Sequence, residues 1–507
     1  MNYKMIGYTL GQVLKFEAIF FAIPAIVALR FFEWIELLSI AGAAAICLAI
    51  GLALSWRRPT DMKLYAKDGF VIVSLSWILL SMFGALPFVF SGAIPNYIDA
   101  LFETVSGFTT TGSSILTGEQ VDSFPHCLHM WRCFTHWVGG MGVLVFVMAI
   151  LPLSGAQNMH IMRAESPGPE VSKLVPRVKK TAMILYLIYF ALTVINFLFL
   201  MFDNVVTPDA SQKVSVFDAV CTAFATAGTG GFGIKSDSIG SYSAYVQIIC
   251  TVFMLLFSIN FNSYYLILRL KLKEAFNSEV RVFLAIVLVV IGAVSANIFF
   301  EAMSNSAVAG AGSFGDALRN AAFSVASVIS TTGFATVDFN TWPELSRTLL
   351  VIIMFVGACA GSTGGGMKVS RIIILIKGFI RELGDLIHPR RVKKITIDRK
   401  PVGSEVVRSV NAYLAAFVVI FVASILVLSF DPYVCTEGNS TLVTNFTAVT
   451  ACMNNIGPGL DMAGPASNFA FFSPLSKIVL IFDMLAGRLE LFPMLILFAP
   501  STWKKHS

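Results

Sequence analysis

Four stretches of this 507-residue chain each set a phenylalanine ten or eleven residues before a glycine. They read Phe102-Glu-Thr-Val-Ser-Gly-Phe-Thr-Thr-Thr-Gly112, Phe217-Asp-Ala-Val-Cys-Thr-Ala-Phe-Ala-Thr-Ala-Gly228, Phe323-Ser-Val-Ala-Ser-Val-Ile-Ser-Thr-Thr-Gly333 and Phe446-Thr-Ala-Val-Thr-Ala-Cys-Met-Asn-Asn-Ile-Gly457. Their ends offer backbone carbonyls, hydroxyls and amides but no charge. Rings of such carbonyls replace the hydration shell of a monovalent cation. No Asp or Glu ring stands at the glycines, which disfavours a divalent-cation filter. Glycine lets the chain take backbone angles that other residues resist. A single stretch of this kind would read as an ordinary membrane turn. Four of them, with glycines 116, 105 and 124 residues apart, imply internal duplication. The expected ligands are the carbonyls of Thr110, Thr111, Ala227, Gly228, Thr331, Thr332, Asn455 and Ile456, next to Gly112, Gly228, Gly333 and Gly457. In the second stretch Gly228, Gly230 and Gly231 all qualify. The count from phenylalanine favours Gly228; the pairing seen in Gly333-Phe334 favours Gly231.

Two further features carry charge into apolar sequence. Gly361-Ser-Thr-Gly364-Gly365-Gly366-Met-Lys368 has the glycines of a phosphate loop but not its spacing, because Met367 separates glycine from lysine. It is expected to be an unwound, mobile segment below the carbonyl ring, with Lys368 near the path. Arg488 sits between two apolar stretches, with Asp483 and Glu490 nearby. An arginine at mid-membrane costs about 2.5–3.5 kcal/mol on insertion scales, so it must face the bundle interior or water. It is either a cation barrier or half of an ion pair. His126, His129 and His136 cluster near one helix end, but no Cys or carboxylate completes a metal-binding spacing. The eight cysteines are scattered without a C-x-x-C.

Residues of these kinds need a membrane around them. Hydrophobic residues make up 56% of the chain, charged residues 13%, and the mean hydropathy is +0.77. Soluble domains run near 25% charged. The fold class is therefore an all-α polytopic membrane protein, with about ten spans near 9–31, 35–55, 69–91, 130–152, 180–202, 243–268, 281–302, 347–380, 408–430 and 475–500. With the N-terminus inside, 27 of the 36 Lys and Arg fall on the cytoplasmic side and 7 on the outer side. Both termini are then cytoplasmic, and the net charge of +6 reflects topology, not nucleic-acid binding. The basic run Arg381–Lys400 is read as headgroup contact or a docking site for a partner. Four outer connections, 92–129, 203–242, 303–346 and 431–474, each hold one phenylalanine-to-glycine stretch. These are too short to span and too apolar to be solvated, so each is read as a half-helix that enters the membrane and returns as irregular chain. The organisation is two N-terminal helices (1–66) and four helix–half-helix–helix repeats, 67–170, 171–275, 276–400 (with the intramembrane loop) and 401–507.

At this point the chain resembles the superfamily of K⁺ transporters that includes the Trk, Ktr and HKT proteins, and within it the membrane subunit of bacterial Trk uptake. The resemblance rests on FTTTGSS (108–114), ATAGTGGFG (225–233), ISTTGFAT (329–336), NNIGPGL (454–460), GSTGGGMK (361–368) and AGRLELFP (486–493). It covers nearly the whole chain, including the two extra N-terminal helices. It implies K⁺ as substrate, bound at the carbonyl ring of a four-repeat pore, with no cofactor and no enzymatic activity. It also implies a homodimer in the cell inner membrane, a cytosolic nucleotide-binding regulatory subunit, and a gate made by residues 361–368 and Arg488. The alternative is an ion-coupled secondary transporter, a K⁺/H⁺ or K⁺/Na⁺ symporter. That would call for inverted repeats, whereas these four run in one direction.

Overall fold

The computed structural model describes residues 1–60, 64–142, 178–303, 308–388, 394–431 and 441–503. Arg390, Arg391 and Lys393 of the basic run and Cys435 lie outside them.

Long apolar runs give the long helices. Tyr3–Phe20 continues through Ala22–Phe31, and Trp34–Ser55 returns beside it. Glycine is what lets these two helices approach. A Cβ on Gly11 would lie 2.8 Å from the Gly51 carbonyl oxygen, and one on Gly51 would lie 2.9 Å from that of Gly11. Small residues at such contacts are the usual device where lipid supplies no hydrophobic drive between helices.

Four units follow. In each, a long helix leads: Ala66–Gly84 with Leu86–Phe90, then Val178–Val206, Ser278–Ala302 and Ser404–Leu428. A half-helix comes next: Tyr97–Phe108, Val216–Gly228, Phe314–Ile329 and Thr441–Met453. The side chains of Asn96, Ser215 and Ser313 cap three of these at the N-terminus, with Asp99, Asp218 and Asp316 in the first turn. Both devices satisfy the exposed N–H groups and the positive helix end. The lead helix of the first unit is 61% buried, against 28–33% for the other three. The N-terminal pair packs over it and takes its place against lipid.

The third helix of the later units is broken. Ala244–Phe257 and Phe261–Leu268 meet at 90°. Glu344–Val356 and Val369–Ile387 are separated by irregular chain, and Pro474–Arg488 and Phe492–Phe498 by three residues. The first unit's counterpart, His126–Gly140, leads towards residues outside the description. Counted through these breaks, the elements agree with ten spans. The sequence reading placed an interruption only at 361–368; those at Ser258–Asn260 and Leu489–Leu491 are additional. A small antiparallel hairpin pairs Thr396–Ile397 with Lys400–Pro401.

The glycine contact in the N-terminal pair yields a stability test. Gly51→Ile should lower the melting temperature of the detergent-purified protein, by overpacking worth about 1–3 kcal/mol. Gly292→Ala, where nothing lies within 4 Å of the added carbon, should leave it unchanged or raise it. Equal melting temperatures for wild type and Gly51→Ile would remove the close contact.

Candidate functional site: a ring of four glycine turns

The four half-helices end in the same hydrogen-bonded turn. The N–H groups of Thr110, Thr229, Thr331 and Asn455 bond the carbonyls of Gly107, Thr226, Val328 and Cys452 at 3.0–3.2 Å. The next N–H groups, from Thr111, Gly230, Thr332 and Ile456, reach five residues back to Ser106, Ala225, Ser327 and Ala451 at 2.8–2.9 Å. This is the Schellman cap, which closes a helix while turning the chain away from it. Its left-handed residue is usually glycine. Here it is Thr110 (φ 54°), Thr229 (φ 53°), Thr331 (φ 60°) and Asn455 (φ 54°). A β-branched residue there is strained, and strain of this kind gathers at functional sites.

A glycine with positive φ follows two residues after each: Gly112 (85°), Gly231 (82°), Gly333 (87°) and Gly457 (104°). Each stands where a side chain would strike a carbonyl oxygen of the next unit. A Cβ on Gly112 would lie 2.1 Å from Gly230 O, and on Gly231 2.0 Å from Thr332 O. On Gly333 it would lie 2.1 Å from Ile456 O, and on Gly457 2.8 Å from Thr111 O. The contacts run from first unit to second, third, fourth and back to first. They close a ring. All four glycines line one cavity of about 130 Å³ with Ser113, Ser114 and Arg132, and among the described residues no carboxylate lines it.

The ring corrects the register of the second stretch. Gly228 is the last residue of its helix, and the counterpart of Gly112, Gly333 and Gly457 is Gly231. Thr229 and Gly230, not Ala227 and Gly228, therefore match Thr110-Thr111, Thr331-Thr332 and Asn455-Ile456. The surplus glycines have a separate cause in His136. A Cβ on Gly228 would lie 2.2 Å from the His136 carbonyl oxygen, and one on Gly230 2.1 Å from its ring. His136 Nδ1 donates to Gly107 O (2.7 Å), and Nε2 accepts the Phe232 N–H (3.2 Å), which fixes a neutral tautomer between two stretches. Its sequence neighbours go elsewhere: His126 meets Glu33, and His129 meets the Val121 carbonyl.

One buried ion pair behind the ring is not an expectation of the sequence, in which Arg132 is one of the seven basic residues assigned to the outer side. Arg132 meets Glu103 at 2.7 Å with both side chains almost wholly buried. Glu103 also accepts from Ser114 Oγ (2.9 Å) and the Ile115 N–H (3.0 Å), and Arg132 lies 4.2 Å over the Phe232 ring. The pair thus ties the first half-helix to the chain after Gly112 and after Gly231. A glutamate inside a half-helix that must be buried was the available signal.

On the other side of the ring lies the irregular chain of residues 357–368. The Gly365 N–H donates to Thr331 Oγ1 at 2.6 Å. A Cβ on Gly364 would lie 2.8 Å from Ser330 O, and one on Gly365 2.5 Å from Asn454 O. Lys368 Nζ donates to the Gly364 carbonyl, folding the glycine segment back on itself. Gly361 backs onto Asn260, and the Phe261 N–H bonds its carbonyl at 3.0 Å. Cys359 N–H bonds Ser258 O at 3.1 Å. Arg488 donates to Thr363 O (2.8 Å), Gly140 O (2.7 Å) and Gly139 O. The expected meeting of Arg488 with 361–368 is present in the structure. Of the two expected counter-charges, Asp483 accepts from Ser424 at 2.8 Å and Glu490 pairs with Arg371. Gly361, Gly364, Gly365, Gly366, Lys368, Arg488 and Trp77 border a second cavity, of about 80 Å³.

Re-entrant half-helices that converge on an uncharged carbonyl ring define a membrane transport protein. A family profile described as "TrkH: Cation transport protein" matches residues 38–505, and the chain belongs to that family. The Trk system potassium uptake protein TrkH of Escherichia coli is 36% identical over 470 residues, 91% of each chain. That of Halomonas elongata is 34% identical over the full length of both. The crystal structure of the potassium transporter TrkH from Vibrio parahaemolyticus superposes with a TM-score of 0.84 at 31% identity, covering 99% of this chain and all of that one.

The Arg132–Glu103 pair predicts a stability effect. Glu103→Ala, which leaves a buried guanidinium unpaired, should destabilise the protein by about 3–5 kcal/mol. A melting temperature within a degree of wild type would show that the pair is dispensable.

Proposed function

We propose that this chain is the membrane subunit of a Trk-type potassium uptake system, conducting K⁺ through a channel-like pore at the centre of the four units. One observation carries the reading: the four glycine turns close into a ring of carbonyl contacts. The names of the relatives support K⁺ as the substrate. In this reading the filter is Thr110-Thr111-Gly112, Thr229-Gly230-Gly231, Thr331-Thr332-Gly333 and Asn455-Ile456-Gly457, and the four repeats are 67–170, 171–275, 276–400 and 401–507. Each half-helix points its carbonyl end, equivalent to about half a negative charge, at the ion. Carbonyl oxygens replace its water, and the absence of a carboxylate keeps the site weak enough to release a monovalent ion.

The 357–368 segment beneath the filter is the proposed gate. It packs against two of the four turns, so it occupies the way out until it moves. Arg488 both holds Thr363 and adds positive charge. At about 6 Å and an effective dielectric of 20, its repulsion of K⁺ is roughly 3 kcal/mol before nearby Glu490 offsets it. The vestibule over the glycines faces outward, both termini are cytoplasmic, and the membrane is the cell inner membrane. The proposed assembly is a homodimer with a cytosolic nucleotide-binding regulatory subunit of Trk type.

Gly112→Ser, Gly231→Ser or Gly333→Ser should each reduce K⁺ flux and weaken K⁺ over Na⁺ selectivity in proteoliposomes, because the added Cβ displaces a neighbouring carbonyl. Selectivity that stays at the wild-type ratio in all three folded variants would sink the filter assignment. Arg488→Ala should raise basal K⁺ flux about tenfold and leave selectivity intact. A variant that merely melts earlier, with unchanged flux per folded molecule, would make Arg488 a structural tie.

A further inference from the structure

We infer that Glu279 is a positioning residue that clamps the intramembrane segment at both ends and so holds it closed. The inference rests on the reading of that segment as a gate and extends it to a residue on a different helix. Glu279 lies in the first turn of Ser278–Ala302 and is only 8% exposed. Its Oε1 accepts the Ala360 N–H at 2.8 Å and the Ser370 N–H at 3.1 Å. Those two residues bracket the segment that contains Gly361, Thr363, Gly364, Gly365, Gly366 and Lys368. A single carboxylate oxygen therefore joins Ala360, within the irregular chain, to the start of the helix that follows it.

The far end explains why a carboxylate belongs there. Ser370 is the second residue of Val369–Ile387, whose N-cap, Lys368, has φ 74° and makes no side-chain cap hydrogen bond. The first N–H groups of a helix lack intrahelical partners, and that end carries positive partial charge. Glu279 supplies the missing cap from another helix. The same device recurs in this protein, where Glu33 accepts the N–H groups of His126 and Cys127 at the start of His126–Gly140.

The clamp is itself held. Asn277 caps the helix that bears Glu279, accepting the Val280 N–H at 2.9 Å. On the neighbouring residue, Asp398 of the hairpin turn accepts the Ser278 N–H, also at 2.9 Å. The carboxylate cannot leave Ala360 and Ser370 without disturbing these contacts or turning its own rotamer. Further ties, from Thr331, Arg488, Phe257, Ser258 and Phe261, act on residues 359–365. The Val369 N–H bonds the Ala358 carbonyl at 3.1 Å, and the Glu279 contacts add a side-chain tie between the same two ends.

The test uses the full-length purified chain, comparing wild type, Glu279→Gln and Glu279→Ala. Cys359 is fully buried beside Ala360, so its labelling by a membrane-impermeant maleimide, quantified on its own peptide by mass spectrometry, reports release of the segment. Basal K⁺ flux and the K⁺/Na⁺ ratio are measured on the same preparations in liposomes without a partner. Losing two hydrogen bonds to a charged acceptor should raise Cys359 labelling and basal flux about tenfold in Glu279→Ala. Glu279→Gln keeps an acceptor oxygen but not the charge, so both readouts should fall between wild type and Ala. The K⁺/Na⁺ ratio should not change. That graded rescue is not expected of a residue that only contributes to stability. Should Glu279→Ala fail to fold, the Gln variant decides: labelling above wild type supports the clamp, and labelling equal to wild type overturns it. Unchanged labelling in a folded Glu279→Ala also overturns the clamp, whatever the flux. Increased labelling with unchanged flux keeps the clamp and removes the gate reading.

Discussion

Inside a bilayer there is no water to accept or donate hydrogen bonds, so chain that leaves a helix there must satisfy its backbone within the protein. The rest of this structure depends on how that constraint is met at four helix ends. A Schellman cap uses two of the orphaned carbonyls of a half-helix within the turn itself. It also reverses the chain, so that the following residues run alongside the next unit instead of deeper into lipid. The cap needs a left-handed residue, and three threonines and an asparagine accept that strain because their neighbours leave them no alternative. Packing of this kind is bistable, not elastic. One turn cannot relax without disturbing the carbonyl it touches, and the ring passes that restriction around all four units.

The same constraint operates one layer below. Three helices are broken near one level, and each break would expose unpaired groups if it stood alone. They are instead used on one another: Ser258 and Phe261 bond the 357–363 chain, and Arg488 crosses from the fourth unit to Thr363 and to the first unit's Gly139 and Gly140. The breaks are therefore mutually dependent. Straightening any one of them would leave polar groups of another without partners.

Much of this was legible in the sequence because its causes are local. Half-helices announce themselves as apolar stretches too short to span, and Gly112, Gly333 and Gly457 fell where the count from phenylalanine put them. In the second stretch the count pointed to Gly228 and the Gly-Phe pairing to Gly231, and the turn geometry follows the pairing. What distinguishes Gly231 is its own positive φ, while Gly228 and Gly230 make room for a histidine ninety residues earlier. No single-sequence pattern reports such a pairing. The breaks at Ser258–Asn260 and Leu489–Leu491 were hidden by averaging: two or three polar residues barely lower the hydropathy of a twenty-residue window. The pairing of Arg132 with Glu103 was hidden for a related reason, since a charge near the end of a span reads as topology until its partner in another helix is known.

A contrast between the two layers follows from their chemistry. The upper ring is made of backbone, so its four turns keep one geometry although their side chains are Thr, Gly, Thr and Ile at equivalent positions. The lower layer is made of side chains and loop length, and it is not fourfold. Among the described residues, the third unit contributes a twelve-residue irregular segment, the fourth an arginine that binds it, and the second a sharp bend. Four identical subunits could build the upper ring but would put four copies of the segment into the space that one fills. Joining the units in a single chain removes that conflict. It allows the backbone ring to keep one geometry in all four units while the layer beneath it is asymmetric.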